Sequence, residues 1–296
     1  MHESRRSLTQ RLQDIRLAGE LRDALHRHQL STVFQPIVDL TEGTIVGVEA
    51  LCRWRHPQRG DIRPDEFIPA AERTGLVHHI GHLVLSDTLA QLRRWDDTGR
   101  VVASAAVNVS ATELADPALV DRVRDALHAW GIAPKRLVIE VTETAVISDF
   151  ATASRQLAAL QALGIRVAID DFGTGQSSLA YLRRFDLDIV KIDREFVRDI
   201  LACPKAERMV QAIIRLAAAM GAETVAEGIE SSAEANRLRR LGCQVGQGYH
   251  LGRPMPAREL DALLSTHTAV RPGRSAPLHT TRPDVDSAVR AAFHRT

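Results

Sequence analysis

The chain has 296 residues and a formal net charge of +1, with 45% apolar and 25% charged residues. That balance is ordinary for a soluble globular protein, and the near-zero charge gives no electrostatic ground for a nucleic-acid polymer as partner. The sequence holds no apolar run of about 18 residues and no apolar signal core near its start, so a membrane segment is not expected. Three cysteines, Cys52, Cys203 and Cys243, are widely spaced and form no C-x-x-C pair. This speaks against a disulfide framework or a zinc site and fits a reducing, cytoplasmic compartment. Lysine occurs only at Lys135, Lys191 and Lys205, so a lysine at a strand end is conspicuous.

Residues 1–30 read as a charged helix, with Leu8, Leu12 and Ile15 on one face and Leu21 and Leu25 continuing nearby. It would pack on the following domain or form the end of a linker helix from a longer architecture. From Thr32 the pattern becomes extended, with one run at Val33–Val38 and a second at Ile45–Trp54. The link from Asp39 to Thr44 is too short for a crossover helix, so these two strands are expected to be antiparallel.

Helical stretches near 78–99, 116–131, 151–163, 205–220, 231–241 and 257–266 then alternate with apolar strands. The strands fall near Ala103–Val109, Arg136–Val141, Ile165–Asp170, Asp188–Ile192, Glu223–Glu227 and Gln244–Gln247. Eight strands with helices between most of them point to an α/β fold, a modified TIM (β/α)8-type barrel with an antiparallel first strand. A doubly wound open sheet is the competing architecture. The domain division expected is a helical extension over 1–22, the barrel over 23–266 and a disordered tail over 267–296, rich in Pro, Ser and Thr.

Chemistry in such barrels collects at the C-terminal strand ends. In order these ends carry Glu49, Asn108, Glu140, Asp170 with Asp171, Lys191, Glu227 and Gln247. Strand alternation puts Asn108 on the face of Ala106, Glu140 on that of Val138, Asp170 on that of Ala168 and Lys191 on that of Ile189. Each polar group then points into the barrel mouth. Asp170 and Asp171 can converge only if the strand ends and bends there, which Gly173 and Gly175 would permit. Taken alone, that pair also reads as an acidic surface loop. Five carboxylates around one lysine would otherwise need protons, and oxygen donors without His or Cys favour Mg²⁺ or Mn²⁺ over Zn²⁺. His78, His79 and His82 read as a solvated helix face, and Cys52, opposite Glu49, as packing.

The ordered set of Phe34-Gln35-Pro36-Ile37-Val38, Glu49-Ala50-Leu51-Cys52-Arg53, Val107-Asn108-Val109-Ser110 and Glu140-Val141-Thr142-Glu143 continues through Asp170-Asp171-Phe172-Gly173-Thr174-Gly175. It ends with Lys191-Ile192-Asp193, Ala226-Glu227-Gly228-Ile229-Glu230 and Gln247-Gly248-Tyr249. These residues resemble the EAL domain family of cyclic-di-GMP-specific phosphodiesterases from about Leu21 to Leu264. The resemblance implies hydrolysis of cyclic-di-GMP to linear pGpG with two Mg²⁺ or Mn²⁺ ions per active site. It implies Glu49, Asn108, Glu140 and Asp170 as ligands of one metal, with Asp170 shared with a second that Asp171 helps hold. Glu227 resembles the residue that activates water, and Lys191 one that orients it and stabilises charge on the phosphate. Gln35, Arg53, Asp193 and Glu230 match nucleotide contacts, Gln247 supports the metal site, and Glu143 anchors the loop after Asp171. A homodimer and an upstream sensory or regulatory partner are further implications, and a catalytically inactive receptor for the nucleotide is the alternative. Gln176 stands where the family commonly has Tyr.

Overall fold

The computed structural model describes residues 16–173 and 186–267. Gln176 and the segment beyond residue 267, both singled out by the sequence, lie outside the described residues.

Among the described residues, nine strands form one sheet: β1 (Leu30–Asp39), β2 (Ile45–His56), β3 (Gly60–Ile62), β4 (Ser104–Asn108), β5 (Leu137–Thr142), β6 (Arg166–Phe172), β7 (Ile189–Ile192), β8 (Glu223–Ala226) and β9 (Val245–Gly246). Pairing of β1 with both β2 and β9 closes eight of them into a barrel, and β3 hangs on the outside of β2. β1 runs antiparallel to both neighbours, while β2 and β4 to β9 are mutually parallel. The reversal follows from a tight link at the β1–β2 turn, which Asp39 closes. Its Oδ1 accepts from the backbone N–H of Thr41 at 2.7 Å and of Glu42 at 2.9 Å.

The parallel strands are apolar on both faces because helices cover the outside. Inside the barrel, Ala106, Val138, Ala168, Ile189 and Val225 pack with Ile37 and Val245. The larger core lies between strands and helices, around Phe67, Leu89, Trp95, Leu137, Ile139 and Ile169. The helices are α1 (16–26), α2 (Pro64–Thr74), α3 (Val77–Asp97), α4 (Ala111–Leu114), α5 (Leu119–Trp130), α6 (Glu143–Ser148), α7 (Phe150–Ala162), α8 (Arg194–Arg198), α9 (Pro204–Ala219), α10 (Ser232–Leu241) and α11 (Ala257–His267). Helix α1 buries Leu17, Ala18, Leu21 and Ala24 against the barrel core. Arg59, next to β3, reaches back to Glu20 of this helix at 3.2 Å and also pairs with Glu66 of α2.

Among the described residues, α2, β3, α4, α6 and α8 depart from the sequence expectation. α2 begins on Pro64 and ends at the left-handed Gly75, with Phe67, Ala70 and Ala71 buried at helical spacing, but Pro69 inside it is a residue that ordinarily argues against a helix interior. β3 has only three residues, and α4 and α8 are single turns set by the caps Ser110 and Asp193. β3, α4 and α8 are too short to show a period.

Candidate active site

Lys191 is the hub of the barrel mouth. It enters from the end of β7, is 1% exposed, and meets carboxylates on or just after four other strands, Glu49 lying within β2 and not at its end. Its Nζ donates to Glu140 Oε2 at 2.8 Å and lies 2.7 Å from Glu227 Oε1, 3.4 Å from Asp170 Oδ2 and 3.6 Å from Glu49 Oε2. A second chain of bonds fixes Glu49. Asn108 Nδ2 donates to its Oε1 at 2.8 Å, and Gln247 Nε2 donates to its Oε2 at 2.7 Å. The same Gln247 amide reaches Gln35 Oε1 at 2.9 Å, and Gln35 donates to the carbonyl of Gly252 at 3.1 Å. All seven strand-end groups of the parallel strands therefore face one volume, joined by Gln35 from the reversed strand. Asp171 departs from that set.

Burial is the largest influence on these acids. It outweighs the attraction of Lys191 at Glu140, whose carboxyl is raised well above the ordinary range, with Glu49 and Asp170 adding repulsion. Burial likewise raises Glu227, to about 8 against the pull of Lys191. At Glu49 burial is overcome by Lys191 and the two amide donors, and its carboxyl sits below the ordinary value. The Lys191 ammonium is held well above its ordinary value, because the surrounding carboxylates outweigh desolvation. Metal-free, the cluster thus keeps protons on some acids to limit its negative charge.

The Asp170–Asp171 bend has a cause other than the expected one. β6 continues to Phe172, and its register against β7 slips between Ile169 and Phe172. Asp171 itself adopts left-handed geometry, φ 55°, so the bend begins at the second aspartate, ahead of the glycines. The slip turns Asp171 toward Asp193, and burial followed by repulsion from Asp170 and Asp193 raises its carboxyl to about 6. Gly173, also left-handed at φ 91°, donates its N–H to Glu143 Oε2 at 3.2 Å. Glu143 Oε1 is buried without a hydrogen-bond partner.

Of the four residues matched to nucleotide contacts, Gln35 and Asp193 are linked to this mouth, through Gln247 and Asp171 respectively. Gln35 is buried within the network above, while Arg53 on β2 is half-buried and turns Nη1 to the carbonyl of Cys52 at 2.8 Å. Asp193 caps α8, accepting from the N–H of Glu195 at 2.7 Å. Glu230 is exposed just before α10, its N–H bonded to Glu234. Cys52 packs against the core as expected, and burial lifts its thiol to about 12. The histidine face is only partly solvated. His79 and His82 are exposed, but the Nδ1 of His78 is sealed from solvent without a hydrogen bond, 3.7 Å from Asp116.

The donor set suits a hard divalent cation. It is made of carboxylate and amide oxygens, and Gln247 Oε1 is a buried acceptor with no partner. Among the described residues, however, no three His, Cys, Asp or Glu side chains stand ready-spaced around a vacant centre. Their oxygens close on the Lys191 ammonium instead. Sequence reasoning overlooked Glu113, which is buried beside Asn108. Its signal was present as the spacing Ser110-x-x-Glu113, a capping box directly after a strand end.

Residues 18–254 match the EAL domain family, and the chain belongs to it. It is 44% identical over 248 residues to the bifunctional diguanylate cyclase/cyclic di-GMP phosphodiesterase MucR of Pseudomonas aeruginosa, across 84% of this chain and 36% of that protein. It is 40% identical over 264 residues to the cyclic di-GMP phosphodiesterase NbdA of the same organism, across 89% of this chain and 34% of that one. A solved structure of the PaMucR phosphodiesterase in complex with c-di-GMP superposes with a TM-score of 0.79 at 44% identity, covering 83% of this chain and 99% of the other. The chain spans about a third of the length of the curated relatives it matches.

Proposed function

We propose that the chain hydrolyses cyclic-di-GMP to linear pGpG. The observation that carries this reading is the meeting of Glu49, Glu140, Asp170 and Glu227 around Lys191, at the mouth of a barrel of the EAL family. Glu49, Asn108, Glu140 and Asp170 would hold one Mg²⁺ or Mn²⁺, and Asp170 with Asp171 a second. Two such ions supply Lewis-acid stabilisation of the attacking and departing oxygens of an in-line phosphodiester displacement.

The chain's own groups take defined parts. Glu227, 2.7 Å from the Lys191 ammonium, would accept a proton from the attacking water in its ionised form. Lys191 keeps its proton and offers a positive charge to the phosphoryl oxygens. Asn108 and Gln247 hold both Glu49 oxygens in place. Arg53, Asp193, Glu230 and Gln35 line the path of the dinucleotide. A homodimer and an upstream regulatory partner belong to the same reading.

Incubation with cyclic-di-GMP and Mg²⁺ or Mn²⁺, followed by chromatography, should yield pGpG. Glu49→Ala and Glu227→Gln should each abolish turnover, with the Gln variant still binding nucleotide. Binding without turnover in either metal would replace the enzyme with a receptor.

A further inference from the structure

Glu113 lies outside the strand-end constellation, yet its carboxylate closes the turn that carries Asn108. β4 ends at Asn108, and Ser110, two residues on, caps α4. Glu113 Oε2 accepts from the Ser110 N–H at 3.1 Å and from Ser110 Oγ at 2.8 Å, while Ser110 Oγ accepts from the Glu113 N–H at 3.2 Å. Capping boxes ordinarily sit at the surface, where water shares the load. This one is inside, with Glu113 only 5% exposed. Burial raises its carboxyl pKa against the bonds from Ser110 and the charges of His78 and Arg122.

What makes room for a carboxylate there is a glycine. Gly81 of α3 faces Glu113 so closely that a Cβ at this position would lie 1.8 Å from Oε1. Asn108, Glu113, Gly81 and His78 line one cavity of about 20 Å³, room for about one water molecule. The far end of the same turn is the Asn108 amide, 2.8 Å from Glu49.

We propose that Glu113, seated on Gly81, is a positioning residue for the cation site. It locks the Asn108–Ser110 turn and so aims Asn108, and Glu49 through it, into the barrel mouth. The inference rests on the reading of Asn108 and Glu49 as cation ligands.

The test is calorimetric titration of the full chain with Mn²⁺ in the absence of nucleotide, alongside thermal melts. Gly81→Ala pushes only the far end of the Glu113 side chain, and Ala favours a helix over Gly. With the loosened cap set against the better helix former, this variant should stay folded and melt within about 5 °C of wild type, while binding Mn²⁺ about tenfold more weakly, the scale of losing a group that orients a metal ligand. Glu113→Ala should weaken Mn²⁺ binding to the same degree, and adding Gly81→Ala to it should cost nothing more. Glu113→Gln keeps an oxygen acceptor for Ser110 and should restore binding to within about twofold of wild type. If Glu113→Ala fails to fold, Gly81→Ala alone decides the question. Wild-type affinity in Gly81→Ala overturns the inference. A wild-type chain that takes up no Mn²⁺ overturns the cation reading and the inference with it.

Discussion

Around Lys191, four carboxylates share one ammonium at 2.7–3.6 Å; the lysine, Glu49 and Glu140 are buried, while Asp170 and Glu227 are partly open to solvent. Removing one partner from a buried ion pair ordinarily costs about 3–5 kcal/mol, because the other charge is stranded. Here the stranded groups can take up protons, so the cost depends on pH. The Glu227 carboxyl, at about 8, lies above its unfolded value of 4.5, so its contribution to stability is complete below about pH 4.5 and is lost as pH rises through 8. Lys191→Met pushes that carboxyl, and that of Glu140, further up. In chelator, the variant should therefore be destabilised by about 3 kcal/mol at pH 8 and by less at pH 5. Urea unfolding at the two values measures this. A deficit of the same size at both values would show that the acids stay ionised without the lysine.

The links after the strands, as much as the strands, decide where side chains point. Gly228 follows Glu227 at φ 68°, and a Cβ there would lie 2.4 Å from the Cβ of Arg194, against the start of α8. Gly228→Ala should therefore displace Glu227, cutting turnover at least about tenfold and costing about 1–3 kcal/mol, read from kinetics and denaturant midpoints together. Equal turnover with lowered stability would mean that the loop yields without moving the acid. These links were also where the sequence was hardest to read. Strand-end polarity survives in any alternating apolar run, so Glu49, Asn108, Glu140, Asp170, Lys191, Glu227 and Gln247 were all legible in order, as was the reversed first strand. The left-handed Asp171 was not, since an aspartate needs no glycine to enter that region. Nor was the seat of Glu113, which depends on Gly81 from a helix about 30 residues earlier in the chain. A contact between elements leaves no period in either one.

On the scale of the whole molecule, the site closes the barrel. Gln35 and Gln247 are 212 residues apart and join the first strand to the last. Cations bound only when all the strand ends are assembled will stabilise the closed barrel by mass action. Mn²⁺ at a hundred times its dissociation constant should add about 2.7 kcal/mol to unfolding, and Glu49→Ala should remove most of that gain. An unfolding curve indifferent to Mn²⁺ would place the ions elsewhere or nowhere. The backward β1 has a separate effect on how the molecule can be handled from outside. With eight co-directional strands the chain would enter beneath the barrel floor, a full strand length from the chemistry. Here Leu30, the first residue of β1, pairs with Trp54 at the mouth end of β2. Three residues connect it to helix 16–26, and the carbonyl of one of them, Gln29, accepts from the N–H of Arg55 at 3.0 Å. That helix is tied to the mouth end of the barrel by the Gln29–Arg55 bond, by its buried Leu17, Ala18, Leu21 and Ala24 and by the Arg59–Glu20 pair, so motion imposed on it arrives within two residues of Arg53.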